Sequence, residues 1–445
     1  MRDLGQAKVY LRNEAFADDF VLQNGRVINP NGNIDQICDI VVSNGKIAAI
    51  GDLKNEFAQA RKIDLSGCLV FPGMMDLHTN LREPGREDKE TIKSGAEAAV
   101  AGGFCAVACM PNTDPICDAE QKVRYIVQRS ENVSCRVYPV GAATKELAGE
   151  EIAPFYEMMS AGAKAFSDGT QSISRSDILK NVMNYAKLFD APLFCNCQDK
   201  NFSKGVMNES KYSTIFGLRG IPAIGEDIDI TRHLIIAEYT GCKIHITRVS
   251  SKGAIEKIRE YKQKGVAVTA ATAPHYLYYS DKDLATYDTN LKVSPPIRGE
   301  EDRDELIKAL ADGTIDAIVS DHAPHTSEEK NIEFDNASCG VAGLETLVGA
   351  IFTEIISKNR LTLMEFAQKM CINPYKIIGV NAPNIAVGEK ADISVIAPNE
   401  KWTVESKNFF TKCGGNSAFL GKEFVGRPVL TVVDGRIVFE REFVK

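Results

Sequence analysis

Apolar strand-like segments alternate with amphipathic helical segments through the middle of this chain, and this alternation limits the folds open to it. The strand-like segments are residues 105–110, 163–166, 192–195, 243–246, 266–269 and 315–320, and helical patterns between them include residues 91–101, 177–188, 253–262 and 301–311. Repeated strand–helix units favour a parallel sheet covered by helices. Over a stretch of this length the pattern predicts an α/β fold, a (β/α)8 TIM barrel.

Both ends of the chain have a different character, with short β-branched runs and turn signals. Asn24-Gly25 and Asn44-Gly45 separate such runs in the first part, and Asp434-Gly435 lies between two apolar runs near the end. Dipeptides of this kind mark hairpin turns. The sequence therefore predicts a small β-sandwich domain built from residues 1–68 and 383–445, with the barrel spanning residues 69–382.

Composition excludes several classes of partner. The 445 residues carry a net charge of −8, which disfavours non-specific binding to nucleic acid or to an anionic membrane. The chain begins without the apolar core of a signal peptide, and no apolar run approaches membrane-spanning length. We therefore expect a cytoplasmic protein that binds neither nucleic acid nor membrane.

The end of the first predicted barrel strand has the form of a metal site with one ligand replaced. His78 and Asn80 follow the apolar run of residues 69–75, and side chains two residues apart point the same way from a strand. Two histidines at such positions can hold one zinc ion between their imidazole nitrogens. Asn80 carries a neutral amide instead, which is a poor zinc ligand. The segment therefore has the form of a metallohydrolase strand in which one of the two histidine ligands is replaced.

A series of motifs in a fixed order resembles the bacterial dihydroorotases of the amidohydrolase superfamily, and the resemblance covers nearly the whole chain. The motifs are Phe71-Pro72-Gly73 before Asp76-Leu77-His78, Arg82-Glu83-Pro84-Gly85, Gly102-Gly103-Phe104, Met110-Pro111-Asn112-Thr113, Lys292-Val293-Ser294-Pro295-Pro296-Ile297-Arg298, Ser320-Asp321-His322-Ala323-Pro324-His325 and Gly343-Leu344-Glu345-Thr346. Several such blocks in the right order are far more specific than any one of them.

The resemblance implies a hydrolase that interconverts N-carbamoyl-L-aspartate and dihydroorotate in pyrimidine synthesis. In such an enzyme zinc activates a water molecule that attacks the ring amide carbon, and Asp321 matches the carboxylate that shuttles the proton. Arg82, Asn112 and His325 match positions that bind the carboxylate of the substrate. Ser294 stands where the family has a substrate-binding asparagine.

The metal ligands depart from the family pattern, because only His78 and Asp321 are unchanged. The replaced positions carry Asn80, Asn196 and Arg248 instead of histidines, and Gly169 instead of a carboxylate. A guanidinium stays charged at any working pH and repels a divalent cation close by. We therefore expect Arg248 to occupy the space of the metal and to pair with Asp321, with Asn80 and Asn196 completing a hydrogen-bonded plug.

These replacements leave two main interpretations open. In the first, the chain binds no cofactor, is catalytically inactive and acts as a structural partner of aspartate carbamoyltransferase, a role that the resemblance implies. In the second, it is an active zinc dihydroorotase with an atypical metal site in which a carboxylated Lys164 joins His78 and Asp321. We expect a homo-oligomer in either case, with N-carbamoyl-L-aspartate or dihydroorotate as ligands that the cavity can still bind.

Three further assignments complete the sequence-based interpretation. A hydantoinase-like or allantoinase-like activity is disfavoured, because those relatives use the same histidines. His275, in a family-like Pro-His stretch, is interpreted as structural, and His233 as a packing residue on a helix.

Overall fold

A parallel barrel forms the centre of the molecule. The computed structural model describes residues 1–4, 7–13, 19–53, 57 and 59–443. Eight strands follow one another around the barrel in chain order. They are β1 (Met74–Thr79), β2 (Phe104–Cys109), β3 (Arg136–Ala142), β4 (Ala165–Ser167), β5 (Leu193–Cys195), β6 (Ile244–Ile246), β7 (Val268–Thr272) and β8 (Ala317–Ile318). The predicted TIM barrel is confirmed.

The barrel closes through the residues that follow β8. His322 pairs in parallel with Thr79 at the end of β1 and with Val341 on its other side. In addition, the backbone N–H of Asn80 donates to the carbonyl oxygen of His322 over 2.7 Å. This closure brings Asp321, the residue before His322, next to the end of the first strand.

Helices cover the outside of the barrel, and the four helices predicted above each appear within one residue of their predicted bounds. The helices are Ile92–Ala101, Glu120–Arg129, Phe155–Ser160, Ser176–Leu188, Lys211–Phe216, Ile224–Thr240, Lys252–Gln263, Pro274–Tyr278, Glu300–Ala311, Ser327–Lys330, Leu347–Ile351, Leu363–Ala367 and Asn373–Ile377. Thr91 is the N-cap residue of the helix Ile92–Ala101, and its hydroxyl oxygen accepts a hydrogen bond from the backbone N–H of Ser94 over 3.0 Å. Within the described residues, every helix is too short or too polar to cross a membrane.

The two ends of the chain form one mixed β-sheet, which confirms the β-rich second domain. Its strands are Arg2–Asp3, Ala7–Val9, Phe20–Asn29, Ile34–Ser43, Lys46–Gly51, Arg61–Asp64, Leu69–Pro72, Ile393–Thr403, Glu423–Val433 and Arg436–Arg441. Hydrogen bonding joins them into a single ten-stranded sheet rather than two separate ones. A cluster of buried aliphatic side chains forms a core for this domain, distinct from the barrel core.

Asn24-Gly25 is not the hairpin turn that the sequence predicts, because it lies inside the strand Phe20–Asn29. The pairing register shifts between Leu22 and Gly25, and Asn24 adopts a left-handed φ of 61°, as in a β-bulge. A Cβ atom on Gly25 would lie 2.6 Å from Cγ2 of Val70, so the bulge has no room for a larger residue. By contrast, Asn44-Gly45 forms the predicted turn between Ile34–Ser43 and Lys46–Gly51.

The predicted domain boundary at residue 69 is a few residues early. The strand Leu69–Pro72 pairs with Ile393–Thr403 and Phe20–Asn29, so it belongs to the β-rich domain and the barrel begins at Met74. A strand at this position would be a buried apolar run in either domain. Hydrophobic periodicity alone therefore does not show to which domain the strand belongs.

A buried carboxyl group attaches the C-terminal part of the chain to the barrel. Glu345 accepts hydrogen bonds from the backbone N–H groups of Phe410 over 2.9 Å and Thr411 over 3.0 Å. Burial raises the pKa of Glu345 to about 8, although these N–H groups act in the opposite direction. The carboxyl group is therefore largely protonated in the folded chain near neutral pH.

We expect the stability of the wild-type chain, relative to Glu345→Gln, to fall as the pH rises from about 4.5 to about 8. Below this window Glu345 is protonated in both the folded and the unfolded state. Within it the unfolded carboxyl group releases its proton while the folded one keeps it, and this release favours unfolding. Urea unfolding of both proteins near the two ends of the window measures the effect. An equal difference at both pH values would contradict it.

Candidate active site

Polar side chains from the carboxyl ends of several barrel strands line one cavity of about 560 Å³. In parallel barrels, functional groups collect at this end. The lining residues include Asn80, Arg82, Asn112, Gln198, Arg248, Ser294, Asp321 and His325. The structure thus brings the predicted substrate-binding residues together with several of the predicted metal-site residues.

Arg248, which follows β6, is buried at the centre of this group. Its Nη1 donates to Oδ1 of Asp321 over 3.2 Å, and its Nη2 donates to Oδ1 of Asn196 over 2.7 Å. The predicted pair of Arg248 and Asp321 is confirmed. Asn80 does not join this network as predicted, because its Nδ2 donates to the carbonyl oxygen of His322 over 3.0 Å.

The backbone is unusual at three residues that line the cavity. Arg82, Arg248 and Asp321 have φ values of 60°, 54° and 50°, in the left-handed region that non-glycine residues seldom adopt. Such conformations persist where the surrounding structure holds them, and they are common at functional sites. The fold therefore fixes the direction of both members of the central ion pair.

Two histidines lie against the carboxylate of Asp321. Nε2 of His78 is 3.6 Å from Oδ1, and Nε2 of His275 is 3.8 Å from Oδ2. Burial lowers the pKa of His275 to about 3 and that of His78 well below its usual range, and the Arg248 guanidinium acts in the same direction on both. Both rings are therefore neutral.

The interpretation of His275 as structural missed this placement. His275 comes three residues after β7, and the rule that groups collect after barrel strands would have indicated it.

Burial also affects the carboxylate at the centre. It raises the pKa of Asp321 to about 6, although the guanidinium of Arg248 beside it acts in the opposite direction. Above that pH the centre consists of an ion pair with two neutral imidazoles next to it.

These residues do not fit a zinc ion. A zinc hydrolase site takes about three protein ligands, with nitrogen and oxygen donors at roughly 2.0–2.2 Å. Here a guanidinium nitrogen lies 3.2 Å from the carboxylate oxygen that would bind the metal. Asn80 and Asn196 offer neutral amides. A zinc ion would have to displace Arg248 and leave its charge buried without a partner, which costs several kcal/mol.

The end of β4 does not replace the lost ligands. Gly169 occupies the position of the family carboxylate, and the neighbouring Asp168 accepts the backbone N–H and the hydroxyl of Thr144 over 2.8 and 2.6 Å. The alternative role for Lys164 is wrong. Its side chain is exposed and it precedes β4, so it lies at the amino end of the barrel, away from His78 and Asp321.

A second group of potential ligands lies elsewhere in the described chain. Atoms of Cys197, Asp229 and His233 lie within 4.8 Å of one another. The carboxylate of Asp229 already accepts Nε of Arg232 over 3.1 Å and the hydroxyl of Ser172. Burial raises the pKa of the Cys197 thiol well above its usual range. The group is satisfied as a hydrogen-bonded core cluster, consistent with the predicted packing role of His233.

The predicted substrate-binding residues form another part of the cavity. Nη2 of Arg82 lies 3.4 Å from Nε2 of His325, whose Nδ1 lies 2.7 Å from Oε2 of Glu329. Nε of Arg82 and Oδ1 of Asn112 are buried without a hydrogen-bond partner among the described residues. Buried polar atoms are normally paired, so this donor and this acceptor are available to a ligand.

The fold and the constellation around Asp321 define a member of the amidohydrolases, and comparisons with known proteins agree. The Amidohydrolase family model matches residues 225–438, and the Dihydro-orotase-like model matches residues 67–254. A dihydroorotase of Syntrophus aciditrophicus (strain SB) is 42% identical over 95% of this chain and 99% of its own length. A dihydroorotase of Thermoanaerobacter sp. (strain X514) is 42% identical over 95% and 97%. The chain belongs to the dihydroorotase family.

Solved structures agree with the fold. The L-hydantoinase (dihydropyrimidinase) from Arthrobacter aurescens matches with a TM-score of 0.85 and 23% identity, over 96% of this chain and 97% of that one. The D-hydantoinase (dihydropyrimidinase) from Thermus sp. matches with a TM-score of 0.81 and 22% identity, over 96% of each chain. At such identities the likeness concerns the fold alone.

We expect Arg248→Met to lower the free energy of unfolding by about 3 kcal/mol, because it leaves Asp321 buried without its cation. The double variant Arg248→Met/Asp321→Asn should recover much of this loss. Arg26→Met is the matched control, since Arg26 pairs with Asp35 through two hydrogen bonds at the exposed surface and solvent screens that pair. Urea unfolding in the presence of a chelator measures all three. An Arg248→Met protein as stable as wild type would contradict the expectation.

Proposed function

We propose that this chain is a non-catalytic member of the dihydroorotase family that serves pyrimidine biosynthesis as a structural partner of aspartate carbamoyltransferase. One observation carries the loss of catalysis. The guanidinium of Arg248 is bonded to Asp321, the residue that matches both a metal ligand and the proton-transferring carboxylate of the family.

The chemistry of the family explains why this bond matters. Hydrolysis of a cyclic amide at neutral pH needs an activated water molecule, which a zinc hydrolase obtains by lowering the pKa of bound water. In this chain Asp321 is occupied by the guanidinium, and the neutral rings of His78 and His275 stand beside it. With its carboxylate held by a guanidinium, the centre is not arranged to generate a hydroxide.

An active zinc dihydroorotase is the second candidate. Two observations favour it: relatives 42% identical to this chain carry the name dihydroorotase, and the nitrogens of His78 and Nε2 of His275 are buried without hydrogen-bond partners in the described structure. Together with Asp321, these rings would supply three donors if the side chain of Arg248 left the centre. This route does not use Lys164.

Metal content distinguishes the two candidates. We expect the wild-type chain, purified without chelator, to contain no stoichiometric zinc and to show no chelator-sensitive hydrolysis of dihydroorotate. The triple variant Asn80→His/Asn196→His/Arg248→His restores three imidazoles at family ligand positions, so it should bind about one zinc per chain. Metal analysis by mass spectrometry reads this out independently of turnover.

The control for this experiment is Asn181→His/Asn331→His/Arg124→His, which makes the same substitutions at exposed positions on separate elements and should gain no zinc. A wild-type chain with about one zinc and turnover abolished by chelator would overturn the proposal. A triple variant without zinc would show that the replaced ligands do not account for the loss.

The proposed partnership rests on the family resemblance and on the state of the cavity. Aspartate carbamoyltransferase produces N-carbamoyl-L-aspartate, the ligand that the positions of Arg82, Asn112 and His325 bind in the family. These residues are all present and line one cavity, although the catalytic centre is altered. A barrel that keeps its fold but has lost its catalytic centre can still serve as a structural subunit of the transferase assembly.

We expect the tagged chain to co-purify with aspartate carbamoyltransferase at a constant ratio from its own cells, and the transferase assembly to become smaller when the chain is absent. The variant Arg248→Met/Asp321→Asn, altered in the centre alone, should co-purify equally well, because a structural role does not use the centre. Size-exclusion chromatography with light scattering measures the assembly. A transferase of unchanged size without this chain would refute the partnership.

A further inference from the structure

A second cavity lies at the junction between the β-rich domain and the barrel domain. Its volume is about 760 Å³, within the range of small-molecule sites, which often lie at domain interfaces. The β-rich domain lines it with residues of the strands Phe20–Asn29 and Ile393–Thr403, among others, and the barrel domain with residues between 352 and 363. This junction cavity shares no lining residue with the cavity of Arg248.

The junction cavity exists because a short strand separates two long ones. Leu69–Pro72 has four residues, and it lies in the sheet between Phe20–Asn29 and Ile393–Thr403. It pairs with the first four residues of Ile393–Thr403, and the chain before it turns away at Ser66-Gly67. The rest of the long strand therefore has no strand neighbour on this side within the described chain, and the space beyond Leu69 stays open.

The strand that borders this space is also irregular. The pairing register of Ile393–Thr403 with its other neighbour shifts between Ala397 and Lys401. Pro398 and Asn399 lie inside this β-bulge, and both line the junction cavity. Bulges of this kind are frequent at sheet edges and next to functional sites.

The deep part of the junction cavity is apolar and held in place by both domains. Leu69 and Leu361 line it and are buried. Its barrel side includes the π-helical turn Phe352–Ile356, a rare conformation that is found often at functional sites. The backbone N–H of Val425 donates to the hydroxyl oxygen of Thr353 over 2.9 Å, which ties this turn to the sheet. An apolar group would therefore enter a preformed space.

The polar part of the junction cavity favours an anion. Arg26 and Lys401 line it, and among the described residues no Asp or Glu does so, although the chain carries a net charge of −8. Arg26 is already paired with Asp35, whereas the exposed ammonium of Lys401 has no hydrogen bond or ion pair in the described structure. The amides of Asn359 and Asn399 supply further N–H donors.

We propose that the junction cavity binds a small amphipathic anion. The apolar body of this ligand occupies the space beyond Leu69, and its anionic group lies beside Lys401. The inference is independent of the proposed function, because the junction cavity is separate from the cavity of Arg248. The ligand touches both domains, so its binding also stabilises the folded chain.

Decanoate, which carries one carboxylate on an alkyl chain, is the probe for this proposal. The single tryptophan of the protein, Trp402, follows Lys401 and packs edge-to-face against Phe424 with ring centroids 5.5 Å apart, so its fluorescence reports on this region. We expect decanoate, below its micellar concentration, to change the emission saturably and to bind at one site per chain in isothermal titration calorimetry. Hexanoate buries fewer CH₂ groups and should bind at least about tenfold more weakly.

Variants of the junction cavity test its two parts. Lys401→Glu should weaken decanoate binding at least about tenfold, because like charges then face each other. Lys180→Glu is the matched control, since Lys180 is exposed on the helix Ser176–Leu188 and has no ion pair in the described structure; it should bind decanoate as the wild type does. Leu363→Ser, which makes the lining less apolar, should also weaken decanoate binding.

Two further measurements separate this site from other modes of binding. Decyltrimethylammonium, which combines the same alkyl chain with a cation, should cause no saturable change. Arg82→Gln should bind decanoate as the wild type does, because Arg82 lines the other cavity. Loss of binding in Arg82→Gln would place the carboxylate at the barrel mouth and overturn the proposal.

The proposal would also be overturned if decanoate left the emission of Trp402 unchanged, including in a chain whose junction cavity a partner protein covers. Equal decanoate affinities of the wild type and Lys401→Glu would count against it in the same way, as would equal affinities for decanoate and decyltrimethylammonium. None of these outcomes bears on the proposed function, which concerns the centre around Arg248.

Discussion

The contact between the Arg248 guanidinium and the Asp321 carboxylate sets the charge at the centre of the barrel mouth. It places a fixed cation where the family pattern calls for a metal. Burial, assisted by this cation, lowers the pKa of His78 and of His275 and keeps both rings neutral. Asn196 accepts a further hydrogen bond from the same guanidinium. Buried ion pairs are tolerated where additional hydrogen bonds satisfy the remaining groups; of the three guanidinium nitrogens, Nε alone has no partner in the described structure. Arg248 therefore acts as a permanent, internally bonded substitute for a removable ion.

Sequence patterns predicted the barrel and even the pair of Arg248 and Asp321, which are 73 residues apart. The family resemblance placed both residues at metal-ligand positions, and barrel topology brings the ends of all strands together, whatever their separation in sequence. Lys164 was misplaced because β4 is only three residues long. The sequence predicts this strand to begin at residue 163 instead of Ala165. In so short a strand, an error of two residues decides whether a side chain is assigned to the amino end or to the carboxyl end. Asn24-Gly25 was misread because the same dipeptide serves a turn or a bulge.

Hydrophobic periodicity also does not show whether a given apolar residue faces the core or the solvent when a helix carries apolar residues on both sides. In Ser176–Leu188 the exposed side is largely polar, and the buried face can be read from the sequence. Ile224–Thr240 carries isoleucines on both sides, including the buried Ile230 and the exposed Ile235. Its hydrophobic periodicity therefore does not single out one buried face. Which of its apolar residues face solvent becomes visible once the barrel has fixed which side is inside.

The central strands of the β-rich sheet come from opposite ends of the chain, with Ile393–Thr403 paired to Leu69–Pro72. During translation Leu69–Pro72 is made first, and about 320 further residues must be synthesised before its partner strand exists. This takes on the order of 20–60 s at common ribosomal speeds. For that interval its backbone donors and acceptors have no partner from the other end of the chain. An incompletely synthesised chain therefore has an unpaired strand edge, which favours aggregation. Pairing of Ile393–Thr403 with this edge completes the sheet and also removes that risk.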